Sequence, residues 1–293
     1  MKRDSKVMRS VLFAPANRRD LVAKLARTGA DAAFLDLEDG VAPSGKEDAR
    51  LAVLEMVPII LERAPQQAVY VRVNSAATSW FADDVAVALI PELTGVVLAK
   101  LEEPSQLTAL VDALRARGLE HLEIVAGIES AAGVVNVDRL LVAPVTACYF
   151  GAEDYIADIG GRRTKGSLEV LFARSKVALA ARLADVYALD QVVVELSGQE
   201  HFIEDAEQGR ALGYQGKICI HPSQIPLTNA VFSPTVAEID RSRRLLAVHE
   251  EASRQGVGAV AFEGVMVDEP LVRQARRVMA LASAVETRVP SIS

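Results

Sequence analysis

The chain is poor in several features that mark whole classes of protein. It has two cysteines in 293 residues, Cys148 and Cys219, each inside a stretch that reads as a strand. That excludes a disulfide-rich scaffold and suits buried thiols in a reducing cytoplasm. Its four histidines, His121, His201, His221 and His249, stand in no ligand-like spacing, so the sequence offers no zinc site built on histidine and cysteine. Basic residues are outnumbered, 32 Lys and Arg against 39 Asp and Glu, for a net charge of −7. No basic face is left for nucleic acid or an anionic membrane. No run approaches the roughly 18 uncharged apolar residues of a membrane span, and the opening MKRDSKVMRS lacks the apolar core of a signal peptide. Neither insertion nor secretion is expected. GxGxxG after the first strand, GxxxxGK[ST] and GxSxG are all missing, which argues against dinucleotide binding, a P-loop and a serine-nucleophile elbow.

What is present is an aliphatic core. Hydrophobic residues make up 51% of the chain although aromatics supply only 5%. Short apolar runs alternate with amphipathic helical stretches, the pattern of a parallel sheet with crossover helices. Strands are expected at 9–14, 32–37, 68–73, 95–100, 122–128, 145–150, 190–196 and 216–220. Eight strands, nearly continuous in hydrophobicity as strands covered on both faces are, predict an α/β fold: a (β/α)8 TIM barrel. Asn17 is placed to cap the first helix, with Gly29 past its end, and Ser44 with Glu47 reads as a capping box for the next. After the eighth strand come two helices, 235–255 and 270–286, joined by the Gly-rich, irregular GVGAVAFEGVMVDEP. The expected organisation is a barrel over 1–232 and a C-terminal helical extension over 233–293 that packs on a neighbouring subunit.

Polar residues gather where the strands end. In AAFLDLED the apolar run meets Asp36, Glu38 and Asp39; Arg72 and Asn74 end the third strand, Lys100 and Glu102 the fourth, Glu129 the fifth. Glu153 and Asp154 follow the sixth, and His221 ends the eighth. Barrel enzymes build their sites at this carboxyl end. Glu129 and Asp154, with Glu38 and Asp39 opposite, offer few, rigidly held oxygens, which suits Mg²⁺ completed by water and substrate. Arg72 is either a bidentate fork for a substrate carboxylate or a counter-ion for the acids. His221 reads as a packing residue, and GGRRTKG (160–166) as a phosphate-holding loop or a solvated one.

Several stretches, in order, resemble the citrate lyase β-subunit-like family of CoA-ester lyases, in the HpcH/HpaI aldolase/citrate lyase superfamily. They are RSVLFAPANRRD, GADAAFLDLEDGVAPSGKEDAR, VYVRVN, GVVLAKLEEP, IVAGIESAAGV, GAEDYIADIGG, LGYQGKICIHPSQI and AFEGVMVDEP. The resemblance implies Mg²⁺ held by Glu129 and Asp154, a substrate acid touched by Glu129 and Arg72, and Asp36, Glu38 and Asp39 standing around the metal, the last two orienting its waters. Asp268 matches an acid that several relatives deliver into a neighbouring subunit's site for proton transfer, which requires a homo-oligomer, a trimer or a hexamer. The reaction implied is reversible cleavage of a 3-hydroxy-carboxyacyl-CoA thioester, such as citramalyl-, malyl- or citryl-CoA, to a keto acid and acetyl-CoA or a homologue. Coenzyme A enters as part of the substrate. A malyl-CoA-type thioesterase, a CoA-independent metal aldolase and the β subunit of a citrate lyase complex remain alternatives. The chain departs from many relatives at Ala16, Ala99 and Val265, the last removing a cation from the segment before Asp268.

Overall fold

The computed structural model describes residues 7–196 and 198–288. Eight parallel strands close on themselves in sequence order. They are β1 (Ser10–Pro15), β2 (Ala32–Asp36), β3 (Ala68–Val73), β4 (Gly95–Leu98), β5 (Glu123–Ile128), β6 (Val145–Phe150), β7 (Tyr187–Asp190) and β8 (Gly216–Cys219). Helices run between them, giving the (β/α)8 barrel the strand count predicts. The sparse aromatics are concentrated inside it. Phe34, Tyr70, Tyr149 and Tyr187 share the interior with Val11, Val97, Val125 and Ile218, and Phe13 meets Phe34 edge-on at 5.1 Å.

The seventh strand is a correction. The β-branched run at 190–196 ends the strand instead of forming it: β7 lies upstream at Tyr187–Asp190, and residues 191–196 are irregular. Tyr187 and Leu189 fill the interior while Val194 and Leu196 are exposed. Packing therefore overrides β-propensity here. The two helix starts also differ. The helix Arg19–Leu25 has Arg18 at its cap, and Lys46–Arg63 has Gly45, neither with a side-chain cap bond, so Asn17 and Ser44 do not cap. Lys46 turns inward instead, and its Nζ donates to the carbonyls of Leu37 and Glu38 and to Asn74 Oδ1 at 2.6–2.8 Å. A buried cation thus ties down the acidic turn after β2.

Between the barrel and its outer helices lies a buried ionic cluster. Lys217 on β8 donates to Asp190 at 2.9 Å and Asp205 at 2.5 Å. Arg174, from the helix Leu171–Leu183, forks onto Asp190 at 2.6 and 2.8 Å and reaches Asp205. Two cations meet two acids out of water, and their bonds cross-link β7 and β8 to two helices. Asp205 is held down to about 2, because Lys217 and Arg174 outweigh the burial that would raise it.

The chain divides into two compact units, one spanning Met8–Val231 and a second that groups Val7 with the residues from Phe232 onward. In the second, Thr235 and Glu238 form a reciprocal capping box for the helix Val236–Arg254. The Gly-rich segment expected to be irregular contains a hairpin, β9 (Val260–Phe262) and β10 (Val265–Val267). Its turn residues Glu263 and Gly264 both have positive φ, 51° and 78°, as a type I′ hairpin turn requires. Phe262 and Val267 then pack with Leu245, Val272 and Ala275 into a small core. Among the described residues no helix is long and apolar enough to cross a membrane.

Candidate functional site

Barrel register places the polar residues side by side. Asp36 of β2 and Arg72 of β3 are direct partners across adjacent strands, and Arg72 donates from Nε and Nη2 to the two oxygens of Asp36 at 2.7 and 2.8 Å. Asp36 also accepts from the backbone N–H groups of Glu38 and Gly40. Burial alone would raise Asp36, but Arg72 and these bonds keep it below the usual carboxylate range. The side-on fork of Arg72 is therefore taken by a protein acid. Its Nη1 lies 3.2 Å from Glu38 Oε2 and 3.9 Å from Glu129 Oε2, and the guanidinium lies over the Phe13 ring at 4.6 Å.

Glu129 follows the last residue of β5 and is 2% exposed. Its Oε1 accepts from Tyr149 Oη at 2.6 Å and from the Lys100 amide at 3.0 Å. Burial pushes Glu129 up to about 7 against the pull of Arg72, with Glu38 and Asp154 adding to the rise. Lys100 Nζ gathers the remaining acids: Glu38 at 2.6 Å, Asp39 at 2.7 Å and Asp154 at 3.4 Å. Lys100 has a φ of 50°, a left-handed conformation unusual for a non-glycine residue. Asp154 sits in the first turn of the helix Ala152–Asp158, with its side chain 39% exposed.

These residues surround a cavity of about 300 Å³ in the barrel unit, whose lining includes Asp36, Arg72, Glu129, Tyr149 and Asp154 together with Phe13, Val192, Ile218 and Ile220. Five carboxylates face three cations, Arg72, Lys100 and the buried Lys46, and Glu38 Oε2 is buried without a hydrogen bond although Arg72 Nη1 lies 3.2 Å away. Both facts fit a bound divalent cation. Among the described residues no three His, Cys, Asp or Glu side chains form a ready-made ligand set. An ion held by one or two carboxylates and water, as Mg²⁺ is, does not require such a set. Glu129 and Asp154, which both line the cavity, could hold such an ion.

A family model described as HpcH/HpaI aldolase/citrate lyase matches residues 9–222. The chain belongs to this family. It is 50% identical over 276 residues to the citrate lyase subunit beta-like protein of Deinococcus radiodurans, covering 93% of this chain and 96% of that one. It is 31% identical to the mitochondrial citramalyl-CoA lyase of Homo sapiens, over 96% of this chain and 87% of that one. Among solved structures, it resembles the CitE protein from Mycobacterium tuberculosis in complex with magnesium, acetoacetate and coenzyme A. The TM-score is 0.80 at 34% identity, over 95% of this chain and 99% of that one.

Within this family frame, the structure brings Asp36, Glu38, Asp39, Arg72, Glu129 and Asp154 to one end of the barrel. Asp268 belongs to the second unit. It is exposed, its carbonyl takes the first bond of the helix Glu269–Arg288 from the Val272 N–H at 3.1 Å, and its carboxylate makes no hydrogen bond or ion pair among the described residues. In GGRRTKG, Arg163 is committed to Glu153 and Glu169. His221 is exposed at the end of β8, its Nδ1 2.8 Å from Ser223 Oγ.

Two kinds of site residue escaped the sequence reading. Tyr149 pairs with Glu129 across the barrel wall, and a tyrosine inside a strand reads only as core. Gly127 and Gly151 leave the space that Glu129 occupies. A Cβ on Gly127 would lie 2.5 Å from Glu129 Oε1 and 2.6 Å from Tyr149 Oη, and one on Gly151 would lie 2.7 Å from Glu129 Oε2. Gly127→Ala should therefore displace the carboxylate. We expect a fall in kcat/KM of about a hundredfold with the barrel still folded, since a shift near 1 Å can cost that much. Steady-state kinetics beside circular dichroism checks it.

Proposed function

We propose that the chain is a Mg²⁺-dependent carbon–carbon lyase of CoA thioesters. The single observation that carries this is the meeting of Arg72, Glu129 and Asp154 around one cavity, in a chain of this family. Bound Mg²⁺ would supply electrostatic stabilisation to the substrate hydroxyl and its neighbouring carboxylate as charge develops there. The Nη1 of Arg72 holds the substrate carboxylate while Asp36 and Phe13 fix the guanidinium plane. In the cleavage direction the hydroxyl loses its proton, and the bond between the carbinol carbon and the thioester α-carbon breaks. Its electron pair passes to the enolate of the acetyl thioester, which takes up one proton at that carbon. Substrates of the citramalyl-, malyl- and citryl-CoA type all permit this step.

Asp268 is our candidate for the proton transfer, acting in a neighbouring subunit of a homotrimer or hexamer in the cytoplasm. A catalytic barrel over 1–232 with an extension over 233–293 that packs on the neighbour provides the arrangement. Its exposed carboxylate, unpaired among the described residues, supports the reading. Asp268→Asn should bind Mg²⁺ and substrate but lose turnover, because an amide delivers no proton. Mixing Asp268→Asn with Arg72→Ala should restore some activity by pairing a sound barrel with a sound Asp268. No recovery despite proven subunit exchange contradicts action in trans.

Metal binding should depend on pH. Glu129 must be deprotonated to ligate, and it is poised at about 7. Mg²⁺ affinity should thus fall roughly tenfold per pH unit below 7 and level off above it, as competition by one proton dictates. Titration calorimetry at pH 6 and pH 8 measures this; equal affinities would remove Glu129 from the ligand set. The function itself is tested by incubating citramalyl-, malyl- and citryl-CoA with the protein in Mg²⁺ and in EDTA. A 2-oxo acid should form in the first and not in the second; none formed from any ester defeats the proposal.

A further inference from the structure

The carboxylate oxygens of Glu129 have unlike surroundings, and the difference bears on which divalent cation the site accepts. Oε1 accepts from Tyr149 Oη at 2.6 Å and from the Lys100 N–H at 3.0 Å. A carboxylate oxygen has about two lone-pair directions, so both of those on Oε1 are taken by the protein. Oε2 accepts no hydrogen bond among the described residues, and Arg72 Nη1 stands off from it at 3.9 Å. The carboxylate has little room to rearrange. Glu129 is buried, and a Cβ on Gly127 would lie 2.5 Å from Oε1 and one on Gly151 2.7 Å from Oε2, so the backbone of both glycines is packed against it. Tyr149 is equally buried, its ring edge-on to Phe13 at 6.3 Å, which keeps the hydroxyl on Oε1.

We propose that Tyr149 is a specificity-determining residue for the metal: by occupying Oε1 of Glu129 together with the Lys100 N–H, it makes the site select Mg²⁺ over Ca²⁺. The inference rests on the reading of Glu129 as a metal ligand and deepens it. The two ions differ in what they take from a carboxylate. Ca²⁺ gathers about six to eight oxygens in a flexible shell and often takes both oxygens of one carboxylate. Mg²⁺ demands a smaller, near-octahedral shell, keeps several waters and needs only one or two carboxylates. A rigid glutamate with one oxygen free suits Mg²⁺ and denies Ca²⁺ a bidentate partner. To recruit Oε1, Ca²⁺ must break the bond from Tyr149, and a hydrogen bond to a charged acceptor is among the stronger kind. That loss falls on Ca²⁺ alone.

Calorimetric titration of the full chain at pH 8, above the value of about 7 to which Glu129 is raised, with Mg²⁺ and separately with Ca²⁺ tests this without requiring turnover. The unaltered protein should bind Mg²⁺ the more tightly, a comparison that needs no variant. Tyr149→Phe keeps the ring and its packing but frees a lone pair on Oε1. It should shift the ratio of the two affinities toward Ca²⁺ by about tenfold, the scale of one hydrogen bond to a charged group. The ratio is the decisive readout, because a merely structural role for Tyr149, or easier protonation of Glu129 without it, weakens both ions alike. Ca²⁺ binding to the unaltered protein as tightly as Mg²⁺ overturns the inference and leaves the lyase reading standing. An unchanged ratio in folded Tyr149→Phe overturns the assignment of the preference to Tyr149. No binding of Mg²⁺ to the unaltered protein overturns the metal reading, and the inference with it.

Discussion

Lys217→Met should cost the fold about 3–5 kcal/mol, the usual penalty for stripping one partner from a buried ionic cluster. Lys217 is fully buried, and it satisfies Asp190, Asp205 and the Gln191 carbonyl at once. Methionine fills the same space but leaves two carboxylates sharing Arg174 alone. The melting temperature should drop on the order of 10 °C, and Lys217→Met combined with Asp205→Leu should recover part of it, since the double change removes charge in a pair. A sign check adds a pH signature. Asp205 is depressed to about 2 from 3.8, so its contribution is present above the unfolded value and lost as pH falls through the folded one. The unaltered protein should weaken in that acidic window, and the double variant should weaken less. Differential scanning calorimetry reads all three results. An unchanged melting temperature in Lys217→Met contradicts a structural role for the cluster.

That cluster was invisible in the sequence, and the reason is distance. Arg174, Asp190, Asp205 and Lys217 lie on four elements, and each alone reads as an ordinary surface charge. Seven of the eight barrel strands were legible because a strand covered on both faces must be apolar along its length. The seventh was misplaced because Val192–Val194 imitates a strand, whereas Tyr187–Asp190 fills the barrel with a tyrosine and a leucine. The acidic turn at 36–39 was legible for a different reason: a buried run ending in three acids is costly unless something compensates. The compensation was only half foreseen. Arg72 was readable at the end of its strand, but its engagement by Asp36 follows from the register of β2 against β3. Lys46 was hidden behind a Ser44–Glu47 pattern that looks like a helix cap. The glycines at 127 and 151 show their purpose only when a Cβ is placed on them beside Glu129.

Glu129→Gln should lower kcat/KM by about a hundredfold to a thousandfold, the scale on which removal of a single electrostatic contact in an active site is felt. The amide keeps the shape, and its oxygen can still accept from Tyr149 Oη and the Lys100 N–H. What is lost is the charge. A structural role predicts an unstable protein; the present account predicts the reverse. Glu129 is raised to about 7 from 4.5, so its favourable protonation is fully present below the unfolded value and lost as pH rises through 7. Ionised above 7, it costs the fold about 3 kcal/mol, from the 1.36 kcal/mol carried by each pKa unit. Glu129→Gln should therefore melt at or above the temperature of the unaltered protein at pH 8 in EDTA, and Mg²⁺ should raise its melting temperature less. Loss of activity together with loss of stability contradicts this assignment.

The central claim, carbon–carbon cleavage of a CoA thioester at the Arg72–Glu129–Asp154 end of the barrel, is tested most directly by identifying both halves of the product. Citramalyl-CoA is incubated with the full chain and Mg²⁺, and the mixture is analysed by mass. The account predicts pyruvate and acetyl-CoA in equal amounts, with the thioester intact, and neither from Asp154→Asn. Free coenzyme A with citramalate would contradict it, as would citramalyl-, malyl- and citryl-CoA all left unchanged.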